Sequence, residues 1–146
     1  ELTSERLLPA LSRLSTAHDA DRIDAVALGS PHFSLQEFSK LTGILGQRRL
    51  AVPVYVCTAR DTLRSLDENG DSETLRSAGV EIITDTCVVV TPILPPTAGV
   101  LMTNSGKFAH YGPSNTGYEV VYGSLEDCVE SAVEGRVIRK QEDWSW

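Results

Sequence analysis

Two kinds of apolar pattern alternate along the chain. Leu7, Leu8, Leu11 and Leu14 recur at spacings of three and four, which predicts a helix over Leu2 to Leu14 that starts late enough to tolerate Pro9. Ile23 to Leu28 is instead almost continuously apolar and breaks at Gly29-Ser30-Pro31, the mark of a short buried strand entering a loop. Ser34-Leu35-Gln36-Glu37 reads as a capping box, with Phe33 and Phe38 placed as a hydrophobic staple, so a helix is expected from about Leu35 toward Gly46. Val52 to Cys57 predicts a second strand. Helices are expected over Ala59 to Leu66 and Ser72 to Ala78, around a break at Asn69-Gly70, with Gly79 suited to a helix C-cap. Val80 to Ile83 predicts a third strand, Asp85-Thr86-Cys87 a turn, Val88 to Val90 a short extended run, and Pro92 to Gly99 a loop. Val100 to Thr103 is the next strand, with a helix beginning within Phe108 to Tyr111, and Tyr118 to Tyr122 is the last strand. Ser124 then caps a helix carrying Leu125, Cys128, Val129, Ala132 and Val133 on one face.

Short, nearly continuous strands alternating with helices imply a three-layer α/β domain, with a mainly parallel sheet and helices on both faces. Residues 1–146 are expected to form this one domain. Ligands of such sheets bind at the carboxyl ends of the strands. Those ends carry Gly29-Ser30-Pro31-His32, Cys57-Thr58-Ala59-Arg60, Asp85-Thr86-Cys87 and Asn104-Ser105-Gly106-Lys107.

Charge narrows the partners. A net charge of -7, without clustered Lys and Arg, argues against a nucleic-acid surface. No apolar run is long enough to span a bilayer, and no secretory leader is visible, so no membrane partner and a cytoplasmic location are expected. Three widely spaced cysteines make a poor disulfide framework and fit a reducing compartment. The start at Glu1 fits an excised domain or a processed product.

At the rim, Cys87 follows a strand in a polar turn, where either an exposed thiolate stabilised by backbone amides or a small buried hydrophobe fits. Cys57 completes an apolar strand and Cys128 lies on a helix's apolar stripe, so both read as core. For His32 a site role and a loop-ordering hydrogen bond are equally compatible with the sequence; His110 reads as packing and His18 as solvated. Asn104-Ser105-Gly106-Lys107 offers a carboxamide, a hydroxyl, backbone amides and a cation at a strand-to-helix junction, a setting that favours an anion. Arg60 suits a carboxylate, or a surface pair with Asp61.

Taken in order, Ala27-Leu28-Gly29-Ser30-Pro31-His32, Asp85-Thr86-Cys87-Val88-Val89-Val90, Thr103-Asn104-Ser105-Gly106-Lys107 with His110-Tyr111, and Gly123 to Val129 resemble the aconitase X large subunit or large domain. The likeness runs from about Ile23 to Arg136. It implies the C-terminal domain of a longer hydro-lyase that removes water from a small hydroxy acid: cis-3-hydroxy-L-proline in bacterial members, phosphomevalonate in archaeal ones. It further implies iron or an iron-sulfur cluster, with Cys87 as the ligand in this segment and the other ligands outside it. Ser30, His32, Arg60, Asn104, Ser105 and Lys107 are then candidate substrate contacts. The remaining aconitase X domains or a small subunit would be partners, and the chain alone would be inactive. Many relatives carry Cys where this chain has Ser30. A non-catalytic α/β module binding an anionic metabolite is the alternative.

Overall fold

A computed structural model of the chain describes residues 13–96 and 99–139. The helix expected over Leu2 to Leu14 lies outside the described residues except for Arg13 and Leu14, which form a turn. Strands β1 (Ala25–Leu28), β2 (Val54–Thr58), β3 (Val80–Thr84), β4 (Val100–Thr103) and β5 (Glu119–Tyr122) make one five-stranded sheet in the order β3-β2-β1-β4-β5. Every pairing within it is parallel. Helices α1 (Leu35–Leu45), α2 (Arg60–Asn69), α3 (Asp71–Ala78), α4 (Gly106–Thr116) and α5 (Leu125–Glu134) connect or follow the strands. The order reverses at β1, because the chain moves outward through β2 and β3 and then returns to the other side for β4 and β5. Sheets wound this way open a crevice at the carboxyl ends of the strands flanking the reversal, here β1 and β4.

The period of two along each strand divides the core. Val26, Leu28, Val54, Val56, Met102 and Val121 pack with Phe38, Leu41 and Leu45 of α1 and with Cys128, Val129 and Ala132 of α5. Their neighbours Ala25, Ala27, Tyr55, Cys57, Leu101 and Val120 face the second layer, closed by Phe108 and Ala109 of α4 and by Val88 and Leu94. The expected helix starts are present. Ser34 and Glu37 complete a capping box, the Phe33 and Phe38 rings meet edge-on at 5.0 Å, and Ser124 with Asp127 forms a second box.

Two expectations are corrected. Val88 to Val90 is not extended: the Val90 and Thr91 amides both donate to the Cys87 carbonyl, at 3.0 and 3.1 Å, closing one helical turn. Burial of Val88 in the second core outweighs the strand preference of three β-branched residues. The fourth helix begins at Gly106, before Phe108, because the Ser105 hydroxyl accepts from the Phe108 amide at 3.2 Å, and it runs through Pro113 to Thr116.

The rim is fixed by the loop after β1. Gly29 has φ 75°, and a Cβ built there would stand 2.2 Å from the Cys57 carbonyl oxygen. The loop then turns down: the Phe33 amide donates to that same carbonyl at 2.8 Å, and the buried Thr58 hydroxyl donates to the Phe33 carbonyl at 2.6 Å. Gly117 shares a positive φ, 76°, but has nothing within 4 Å of a built Cβ. Gly117→Ala should therefore cost about 1 kcal/mol, the ordinary left-handed penalty, and Gly29→Ala about 3 kcal/mol or more, because backbone must also move. Urea unfolding of the two variants checks the ordering; equal losses would mean that the Gly29 contact does not hold the loop.

Candidate functional site

Three of the four strand-end loops meet around one sulfur. The turn Val88 to Val90 leaves its first amides without backbone partners, and they point at thiols: the Val89 amide donates to the Cys87 sulfur and the Val88 amide to the Cys57 sulfur. The loop after β1 adds the Ser30 hydroxyl, 3.3 Å from Cys87 Sγ. The β4–α4 junction adds the Lys107 ammonium, whose charge acts on Cys87. It also ties the loops together, since the Ser105 hydroxyl donates to the Ser30 carbonyl at 3.0 Å while capping α4.

Cys57 is the member that sequence reading missed. Its side chain is fully buried at the end of β2, as an apolar strand residue should be, yet its thiol hydrogen-bonds the Cys87 sulfur. The signal available was topological: β2 and β3 are parallel neighbours, so residues that follow their ends share the rim. The pair divides its protons unequally. Cys87 is half-buried, and the hydrogen bond from Cys57, with those from Ser30 and the Val89 amide and the charge of Lys107, lowers its pKa to about 5. Donating to that thiolate, and burial, push the Cys57 thiol up. Cys128, fully buried in the other core, is likewise raised by burial. Cys87 is therefore a thiolate near neutrality, while Cys57 and Cys128 keep their protons.

The other candidates are arranged less tightly. Arg60 forms an ion pair with Asp85, whose φ of 61° turns the chain between β3 and Cys87; both side chains are largely exposed. This guanidinium orders the Cys87 turn from outside, and the pair is with Asp85 and not Asp61. His32 is exposed in the loop after β1. Asn104 lines a separate groove with Lys40, Ile44, Leu125 and Glu126, between α1 and α5. Ser105 spends its hydroxyl on the helix cap and on Ser30, so its part at the rim is to hold the two loops in register. His110 is exposed, not packed into the core, and its ring meets that of its neighbour Tyr111 edge-on at 4.7 Å. Among the described residues no set of three or more His, Cys, Asp or Glu side chains is grouped to hold a metal ion, and no helix is long and apolar enough to cross a membrane.

A thiolate with a protonated thiol, a hydroxyl, an amide and a cation around it can act as a soft ligand, or as a nucleophile, beside an anion-attracting charge. The alkylation of Cys87 by iodoacetamide should reach half its maximal rate near pH 5, because a lowered pKa keeps the thiolate until the pH falls through that value. Lys107→Ala or Ser30→Ala should move the midpoint upward, since each removes a group that favours the charged form. A wild-type midpoint in the ordinary thiol range, about 8.5, would mean that the cluster does not hold a thiolate.

Comparison with known proteins places these loops in a family context. Residues 23–134 match the family described as the aconitase X third domain. A cis-3-hydroxy-L-proline dehydratase of Hypocrea jecorina is 42% identical over 126 residues, which are 84% of this chain and 21% of that protein. One of Pseudomonas aeruginosa is 41% identical over 136 residues, 90% of this chain and 23% of that protein. The crystal structure of Thermococcus kodakaraensis aconitase X in its holo-form superposes with a TM-score of 0.77 at 27% identity, covering 90% of this chain and 33% of that one. The chain thus spans about a fifth to a third of the length of the proteins it matches.

Proposed function

Because the chain belongs to the aconitase X family through its third domain, we propose that it supplies one wall of a dehydratase site that removes water from a small hydroxy acid. The substrate class that two similar relatives' names support is cis-3-hydroxy-L-proline. On this reading the chain is the C-terminal domain of a longer cytoplasmic enzyme, and the other aconitase X domains or a small subunit complete the site. The observation that carries the reading is the thiolate at Cys87, gathered by three loops at the reversal of strand order.

The donor chemistry fits iron or an iron-sulfur cluster in part. Cys87 is a half-exposed thiolate and a soft ligand, and with no grouped set of three donors among the described residues the rest must come from elsewhere. When bound, such a group would supply a Lewis acid for the departing hydroxyl. The chain's own residues do three things. Cys87 holds the metal side of the site; Lys107 offers a cation to the substrate's carboxylate; the Ser30 hydroxyl, fixed through its backbone by Ser105, keeps the thiolate charged. His32, Arg60 and Asn104 stand farther out as candidate contacts. Val90 and Tyr111, 75% and 51% exposed, are apolar surface available to the remaining domains.

The test is water elimination from cis-3-hydroxy-L-proline under anaerobic, iron-replete conditions, with the longer parent, its Lys107→Ala variant and the isolated chain side by side. The parent should turn over and the isolated chain should not. Lys107→Ala should lower kcat/KM by about 30- to 1000-fold, equivalent to about 2 to 4 kcal/mol of lost charge contact. An inactive parent that still binds small carboxylates would favour a non-catalytic module, and unchanged kinetics in Lys107→Ala would take the cation out of the site.

A further inference from the structure

We propose that Cys57 and Cys87 form a reversible disulfide, so that this pair is an oxidation site built into the rim. Two contacts carry it. Cys57 pairs with Ile83 across β2 and β3, so Cys87 follows the end of the strand beside it, and Cys87 packs against the apolar cluster in which Cys57 is buried, where the two thiols act directly on one another. Both are free thiols in the structure. Their access is unequal: Cys57 is 0% exposed, while Cys87 is only partly covered. Cys128 is a bystander, because it lies in the core on the opposite face of the sheet.

The reaction follows from that asymmetry. An oxidant of the peroxide class meets Cys87 first. The Cys87 thiolate attacks one peroxide oxygen and the O–O bond breaks; the sulfur becomes a sulfenic acid, keeping that oxygen and its hydrogen, and the other oxygen leaves as hydroxide, which takes a proton from solvent to become water. The Cys57 sulfur then attacks the Cys87 sulfur, the S–O bond breaks, and the hydroxyl leaves as water with the Cys57 proton. Two thiols are oxidised to one disulfide, and one peroxide is reduced to two waters. A dithiol reductant returns both thiols by exchange. While the bond stands, neither sulfur can ligate a soft metal, and Cys87 is shielded from irreversible oxidation by its bond to Cys57. The modification itself does not depend on the assignment of Cys87 as a metal ligand, so the two can fail separately.

The experiment exposes the full 146-residue chain, metal-free, to hydrogen peroxide, then denatures it without reductant. Titratable thiols should fall from three to one, the intact mass should drop by two hydrogens, and a peptide map should join Cys57 to Cys87. Dithiothreitol should restore all three thiols, and Cys128→Ser should form the same link. Cys57→Ala should form no link and should gain oxygen at Cys87. Wild-type chain that keeps Cys57 free while Cys87 gains oxygen, or that keeps all three thiols, overturns the proposal, and this reading needs no variant to fold.

Discussion

The rim depends on one close approach, that of Gly29 to the carbonyl of Cys57. Any side chain at Gly29 would intrude on backbone, so the loop after β1 can lie against the end of β2 only because this position carries none. That seat aims the Phe33 amide at the same carbonyl and buries the Phe33 ring under α1. It also holds Ser30 where its hydroxyl reaches Cys87 and its carbonyl receives Ser105. Remove the approach, and the loops after β1, β3 and β4 lose the backbone against which they are registered. The thiolate at Cys87 is an electrostatic consequence of a steric fact.

Much of this was legible in the sequence, and what was not has specific causes. The capping boxes at Ser34 and Ser124, the apolar strands and the division into a parallel sheet with covered faces all express local chemistry. Each therefore survives folding unchanged. The turn Val88 to Val90 departs from the strand that three β-branched residues favour locally, because burial of Val88 and its amide's approach to the Cys57 sulfur are set by residues distant in the sequence. Cys57 was assigned to the core correctly as to burial. Its contact with Cys87 was invisible because it follows from strand adjacency and not from spacing along the chain. Asn104 was grouped with its sequence neighbours, but it lines the groove between α1 and α5.

The arrangement suits the proposed role of one wall of a larger site. It concentrates soft donor capacity and positive charge at one end of a sheet whose other surfaces are committed to two cores. A thiolate stabilised by an amide, a hydroxyl and a nearby ammonium is prepared in advance, so ligation would require little reorganisation. Among the described residues too few donors come together to enclose a metal, which makes the domain's affinity for one contingent on whatever meets the rim. Exposed apolar side chains at Val90 and Tyr111 give that contact a surface to bury.

The central claim is that Cys87, and not the buried Cys128, carries the metal in the assembled enzyme. Iron analysis and visible absorption of the purified longer parent bearing Cys87→Ser, set beside Cys128→Ser, test it most directly. Exchanging a soft thiolate for a hydroxyl at Cys87 should remove iron and its absorption while the fold persists. A hydroxyl buried at Cys128 should cost about 1 to 3 kcal/mol of stability and leave the iron in place. Full iron content in Cys87→Ser would contradict the account.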